Sequence, residues 1–225
     1  MIFYPINSKS PKLHFLQLFR LRSLPRDVFH STLVDTVNLS FNEFVAMPNS
    51  ALTEVSASLR SLDLSFNSIE HLDSTMFANT PRLIDLSLAH NRLTILPDNI
   101  FIGLNSLRSL DLSANLIRAN YNDFLTYVPR LTHLNLADVE MTSLPIIPLK
   151  ILTYLDLSGN RLSDVPFLSA EGIPNLRHLN LSRNQVRYKI FCTFEIGKKI
   201  VKLKWELFSK NVNKLWRTFS PFATF

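Results

Sequence analysis

The feature that most constrains this chain is a phrase repeated at a fixed interval. Between residues 58 and 115, Leu-x-Leu-x-x-Asn occurs as Leu62, Leu64 and Asn67, then as Leu86, Leu88 and Asn91, then as Leu110, Leu112 and Asn115, at a period of 24 residues. Such a chain has no single centre to collapse around: each unit buries its apolar side against the unit before and the unit after, and the units stack into a solenoid. One elongated domain is therefore expected from the 225 residues. Its expected organisation is a lead-in over 1–12, a repeat array over 13–187 and a basic, aromatic tail over 188–225.

Inside each unit the leucines alternate with polar residues, which is the period of a strand with one buried side. Carried in both directions, the register predicts eight strands centred on Leu16, Val37, Leu62, Leu86, Leu110, Leu134, Leu155 and Leu179. Parallel strands about 4.8 Å apart would then form a curved sheet whose concave side faces solvent. On the return path Leu72, Leu96 and Leu144 recur five residues beyond the asparagine position, and Phe29, Phe77 and Phe101 follow as an expected buried aromatic spine. Asparagines 42, 67, 91, 115, 160 and 184 stand where each strand turns away. A buried amide there can satisfy loop backbone that no strand ladder reaches. Leu21 and Val139 interrupt this series, and Val139 marks one irregular joint inside the array.

A unit of about 24 residues with Leu-Pro and a downstream Phe, and the run MTSLPIIPLKILTYLDLSGNRL from Met141 to Leu162, resemble the typical extracellular class of leucine-rich repeat proteins. The spelling is most similar to chaoptin-type adhesion proteins and is also similar to Toll-like receptor ectodomains. The resemblance implies an α/β solenoid: a leucine-rich repeat horseshoe of about eight repeats, with short parallel strands on the concave face and an irregular loop and 3-10 convex side. It implies a non-enzymatic protein–protein recognition module for cell adhesion or receptor-type ligand binding, part of a longer protein at the cell surface or outside the cell. The alternative is a cytosolic interaction scaffold, with the chain complete as it stands. That alternative draws on the opening MIFYPINSKS, which lacks the pattern of a secretory signal, and on Cys192, the single cysteine, which leaves no internal disulfide.

Charge narrows the partners. Of the 24 basic and 18 acidic residues, nine basic and two acidic fall in 187–225, leaving 15 and 16 elsewhere. The high pI thus describes the tail, and a nucleic-acid partner is not expected. The tail segment 198–217 places Val201, Trp205, Phe208, Val212 and Leu215 at helical spacing. Its expected role is a helix capping the last repeat, with a basic membrane-surface helix as the other reading. No apolar run approaches the roughly 20 residues a membrane-spanning helix needs, so membrane contact is expected only through this tail or an anchor elsewhere in a longer protein.

No phosphate loop, cysteine ligand pair or nucleophile elbow occurs, so no enzyme, cofactor, metal or small-molecule substrate is expected. Asp63, Asp111 and Asp156 recur in one outward row, where alternation with Ser and Asn keeps like charges apart. His133, Tyr154 and His178 occupy the neighbouring row in three successive repeats. Aromatic and ionisable groups thus gather in the last three units, and the expected partner-binding stripe is Asp111, His133, Tyr154, Asp156 and His178. The expected partner is a protein, a second copy of the chain included. Asn38-Leu39-Ser40 and Asn180-Leu181-Ser182 fit the N-glycosylation sequon, making Asn38 and Asn180 the candidate glycan sites.

Overall fold

The structure, a computed structural model, describes residues 13–16, 19–118, 124–144, 147–163, 173–185, 195–196 and 199–200. Eight three-residue strands lie side by side in chain order: β1 Leu13–Phe15, β2 Thr36–Asn38, β3 Ser61–Asp63, β4 Asp85–Ser87, β5 Ser109–Asp111, β6 His133–Asn135, β7 Tyr154–Asp156 and β8 His178–Asn180. Every neighbouring pair is parallel. The central residue of each strand from β2 to β8 is buried and its two flanks are half-buried or exposed. This is the inward-leucine pattern that the alternation demands.

The first strand sits in a different frame from the one expected. His14, not Leu16, pairs with Val37, and Phe15 pairs with Asn38. Two bonds hold this frame: Leu16 N donates to Asn38 O at 2.9 Å, and the Asn42 amide donates to Leu16 O at 2.6 Å. Leu16 therefore matches Leu39 and Leu64, and the asparagine position of this unit is Phe19 rather than Leu21. Leucine alternation favours the frame centred on Leu16, with Leu13 and Leu18 at the other apolar positions, whereas the observed frame places His14 at the centre and keeps only Leu16 and Leu21 at positions where other repeats carry apolar residues.

The six asparagines form one ladder. Asn115 Nδ2 donates to Leu88 O at 2.9 Å in the preceding repeat, and to Leu112 O at 3.0 Å and Ser113 O at 3.2 Å in its own. Its Oδ1 accepts from Leu93 N at 3.0 Å. Asn42, Asn67, Asn91, Asn160 and Asn184 repeat the pattern. Each amide ties two turns of the solenoid together and satisfies groups at the turn. At the interruption, Val139 is buried and Asn160 Oδ1 accepts from both Val139 N and Met141 N. Here Glu140 takes a positive φ of 58°, as Arg20 does at 54° after Phe19. Where the amide is missing, the backbone turns differently.

On the convex side Phe29, Phe77, Phe101 and Phe124 are buried. Phe77 and Phe101 lie 6.2 Å apart and Phe101 meets Phe124 edge-on at 5.4 Å, so the spine extends one ring beyond the expected three. In the second repeat the equivalent position is Leu52, in the short helix α1 Asn49–Leu52, which runs into a 3-10 turn at Thr53–Val55. A cavity of about 260 Å³ opens there, lined among others by Met47, Leu52, Leu59, Leu62, Met76 and Phe77. Leucine is too small to carry the spine across. Of the tail, Glu195–Ile196 (β9) and Lys199–Ile200 (β10) pair as antiparallel strands. The rest of the segment read as a helix, and Cys192, lie outside the described residues.

Candidate functional site

Strand pairing fixes two concave rows. One reads Thr36, Ser61, Asp85, Ser109, His133, Tyr154, His178, and the other Asn38, Asp63, Ser87, Asp111, Asn135, Asp156, Asn180. The five residues of the expected stripe therefore come together on adjacent strands. The Tyr154 ring lies 5.8 Å from that of His133 at an interplanar angle of 23°, and 6.1 Å from that of His178 at 43°. Its hydroxyl donates to Asp156 Oδ2 at 3.4 Å. Loss of water around the half-buried ring, and then the carboxylates of Asp156 and Asp111, raise the phenol above its ordinary range. It stays protonated and neutral at physiological pH.

The aspartate row has a structural duty that the charge-alternation argument missed. Asp63, Asp111 and Asp156 each accept, through Oδ1, the backbone N–H two residues on, at Ser65, Ser113 and Ser158. Asn38, Asn135 and Asn180 do the same at Ser40, Ala137 and Ser182. This self-capping turn explains why the row favours Asp and Asn. The remaining oxygens cross-link the strands: Asn135 Nδ2 donates to Asp111 Oδ2, and Asn180 Nδ2 to Asp156 Oδ2, both at 3.0 Å. The two sequons therefore differ. Asn180 spends its amide nitrogen on Asp156, whereas Asn38 Nδ2 meets no acceptor among the described residues.

A third row escaped the sequence reading because it belongs to the turn rather than the strand. Phe41, Phe66, His90, Ala114, Asp138, Gly159 and Arg183, each just before the asparagine position, all have positive φ between 52° and 66°. From Phe41 to Gly159, the N–H of each donates to a carbonyl of the next repeat at 2.8–3.0 Å. Those bonds and the asparagine ladder offset a left-handed backbone that costs a non-glycine residue about 1–2 kcal/mol. The row begins as a stack of exposed rings: Phe41 on Phe66 with centroids 4.2 Å apart, and Phe66 on His90 at 4.0 Å. At Gly159 a Cβ would fall 1.8 Å from Asp138 Oδ1, and Arg183 reaches back across this rung to hold Asp138 Oδ2 at 3.0 Å. A bare position lets a carboxylate and a guanidinium meet over it.

Among the described residues no group of three His, Cys, Asp or Glu is arranged to hold a metal, and no helix is long and apolar enough to cross a membrane. Residues 57–117 match the family described as Leucine rich repeat, and residues 150–188 match Leucine Rich repeats (2 copies). The chain is a leucine-rich repeat protein. This leucine-rich repeat chain is similar to Chaoptin of Drosophila melanogaster, 32% identical over 156 residues that make up 67% of this chain and 11% of that protein. It is similar to Tsukushi of Gallus gallus, 32% identical over 158 residues, 66% of this chain and 41% of that one. Its fold is shared with the crystal structure of a TLR13–ssRNA13 complex, with a TM-score of 0.71 and 31% identity over 82% of this chain and 26% of that one. It thus spans a small part of the relatives it matches. Family and fold are those of protein-interaction modules, which typically carry no catalysis.

Proposed function

We propose that this leucine-rich repeat array is a non-enzymatic recognition module that binds a protein partner through the concave stripe of His133, Tyr154 and His178, flanked by Asp111 and Asp156. The observation that carries the reading is the Tyr154 ring, half-buried between two imidazoles and with its hydroxyl held by a carboxylate. An aromatic already fixed in orientation contributes contact area at little entropic cost on binding. A second copy of the chain is the first partner to test. The resemblance to chaoptin-type proteins supports cell-surface adhesion or receptor-type recognition as the setting.

Tyr154→Ala is expected to weaken homophilic cell aggregation or surface binding by more than about 1 kcal/mol, roughly fivefold or more. Tyr154→Phe keeps the ring and should lose far less, which separates contact area from the hydroxyl. Because the ring is half-buried, the alanine variant is expected to lose slightly in melting temperature as well. Binding unchanged in Tyr154→Ala and Asp156→Ala, but lost on changing convex residues, would refute the concave assignment.

The two sequons supply a test of compartment. In secretory expression Asn38, whose nitrogen meets no acceptor among the described residues, is expected to carry the glycan. Asn180, bonded to Asp156 beside Tyr154, is expected to stay bare and leave the stripe open. Glycopeptide mass spectrometry reads both. A glycan on Asn180 would cover the stripe and contradict the proposal, and neither site occupied on the native protein would favour the cytosolic scaffold.

A further inference from the structure

The two edges of the sheet treat arginine differently. On the turn edge Arg22, Arg92, Arg161 and Arg183 pair with Glu43, Glu70, Glu140 and Asp138. On the other edge, the five residues ahead of the central leucine of each strand from β3 to β8 hold one cation per repeat: Arg60, Arg82, Arg108, Arg130, Lys150 and Arg177 in turn. All six are exposed, and none is in an ion pair among the described residues. Asp85 is the single carboxylate in the same positions, so the 15 basic and 16 acidic residues of 1–186 divide into six and one on this edge and nine and fifteen elsewhere. The backbone sets the spacing of these charges. Ile84 and Asp85 N–H donate to Arg60 O, Thr132 and His133 N–H to Arg108 O, and Arg177 and His178 N–H to Thr153 O, all at 2.7–3.0 Å. The ladder therefore extends one residue ahead of each strand, and the cations climb the solenoid at one per strand spacing of about 4.8 Å, over roughly 24 Å. Arg60, Arg108 and Arg177 lie on the ladder itself, and the other three lie two or three residues earlier, so the row is a zigzag.

We propose that this edge binds a sulfated polysaccharide laid along the solenoid axis. A thread that carries sulfates and carboxylates at short intervals meets a cation on every rung. Five of the six cations are arginines, whose planar fork takes a pair of anion oxygens. A folded protein partner needs an apolar centre to its interface, and the accessible aliphatic side chains between the cations, Ile84 and Ile151, stand three strands apart. A single-stranded nucleic acid needs ring faces on which bases stack. The rings that adjoin the cations, His133, Tyr154 and His178, lie 5.8 and 6.1 Å from one another, too close for a base to enter between them. The edge borders the Tyr154 row but takes a different ligand from the protein partner proposed for that row, and neither reading depends on the other.

The test measures binding of the full chain to heparin oligosaccharides by surface plasmon resonance across a salt series, with desulfated heparin, single-stranded RNA and phosphatidylserine vesicles alongside. Arg82→Gln, Arg108→Gln and Arg130→Gln made together are expected to weaken heparin binding at least tenfold and to reduce the slope of log K against log salt by about one per arginine. Arg22→Gln, Arg92→Gln and Arg161→Gln made together change the net charge equally on the turn edge and are expected to lose less than threefold. That contrast separates the row from overall charge and from the basic tail. The three substituted arginines of the row are exposed and free of ion pairs among the described residues, so the melting temperature should hold. Heparin should also slow phenylglyoxal modification of Arg82, Arg108 and Arg130, read by mass spectrometry, and leave Arg22 and Arg161 reacting as before. Equal losses in the two triple variants, no protection of the row, or desulfated heparin, RNA or vesicles bound as tightly as heparin with the same dependence on these arginines overturns the proposal. Tyr154→Ala should leave heparin binding within twofold, so the loss of either reading leaves the other standing.

Discussion

Replacing Asn115 with alanine isolates what the asparagine ladder contributes. Asn115 is 1% exposed and makes four hydrogen bonds with heavy-atom distances of 2.9–3.2 Å. Two of its partners have substitutes: Leu88 O still accepts from Asn91 Nδ2 at 3.0 Å, and Ser113 O from His90 N at 2.8 Å. Leu93 N and Leu112 O lose their partner, and no other among the described residues replaces it. A buried group left unsatisfied costs roughly 1–3 kcal/mol, so two orphans give an expected loss of about 4 kcal/mol. Asn67 makes the same bonds from a half-buried position, where water can enter, so Asn67→Ala is expected to cost about 1–2 kcal/mol. Urea unfolding gives both figures. Amide exchange at Leu93 should accelerate in the Asn115 variant before global unfolding, because the loss is local. A cost below about 1 kcal/mol, or one equal to that of Asn67→Ala, would mean the amide only decorates a turn held by leucine packing.

Other perturbations probe the rest of the frame. Leu110→Ala, at a side chain 1% exposed in the most regular stretch, is expected to cost roughly 2–5 kcal/mol through lost burial and a residual cavity; a cost under half a unit would contradict its inward placement. Val139→Asn offers Leu112 O and Leu136 O the missing amide and lets Glu140 leave its left-handed conformation, with an expected gain of about 1 kcal/mol. A lower melting temperature would show that the buried valine is worth more than the bonds. Leu52→Phe restores a ring where the spine lapses and is expected to stabilise by about 0.5–2 kcal/mol by filling the cavity beside Phe77; destabilisation would mean that α1 holds Leu52 too close to its neighbours for a larger side chain. Asp156→Asn should lower the titration midpoint of the Tyr154 phenol, because it removes a raising charge and leaves the desolvation, the largest cause. An unmoved midpoint in the NMR titration would place the carboxylate too far away to act.

The sequence by itself determined the solenoid, seven of the eight strands, the inward leucines, the asparagine ladder and the convergence of His133, Tyr154 and His178. These follow from periods, and a period of two within strands and of about 24 between them leaves one way to bury the leucines. The first strand shows where periodicity fails: its leucines favour the frame centred on Leu16, yet His14 is the residue that pairs with Val37. The aromatic spine held the missing signal: Phe77 and Phe101 lie 15 residues beyond Leu62 and Leu86, and 15 residues before Phe29 stands His14. Tertiary structure alone decided the turn-edge row. Phenylalanine has no preference for positive φ, so nothing in the letters before each asparagine announces that Phe41, Phe66 and His90 will stack. Their backbone is held left-handed by N–H bonds to the next repeat and by asparagines on either side. Only this shared turn brings side chains 24 or 25 residues apart within 4.2 Å.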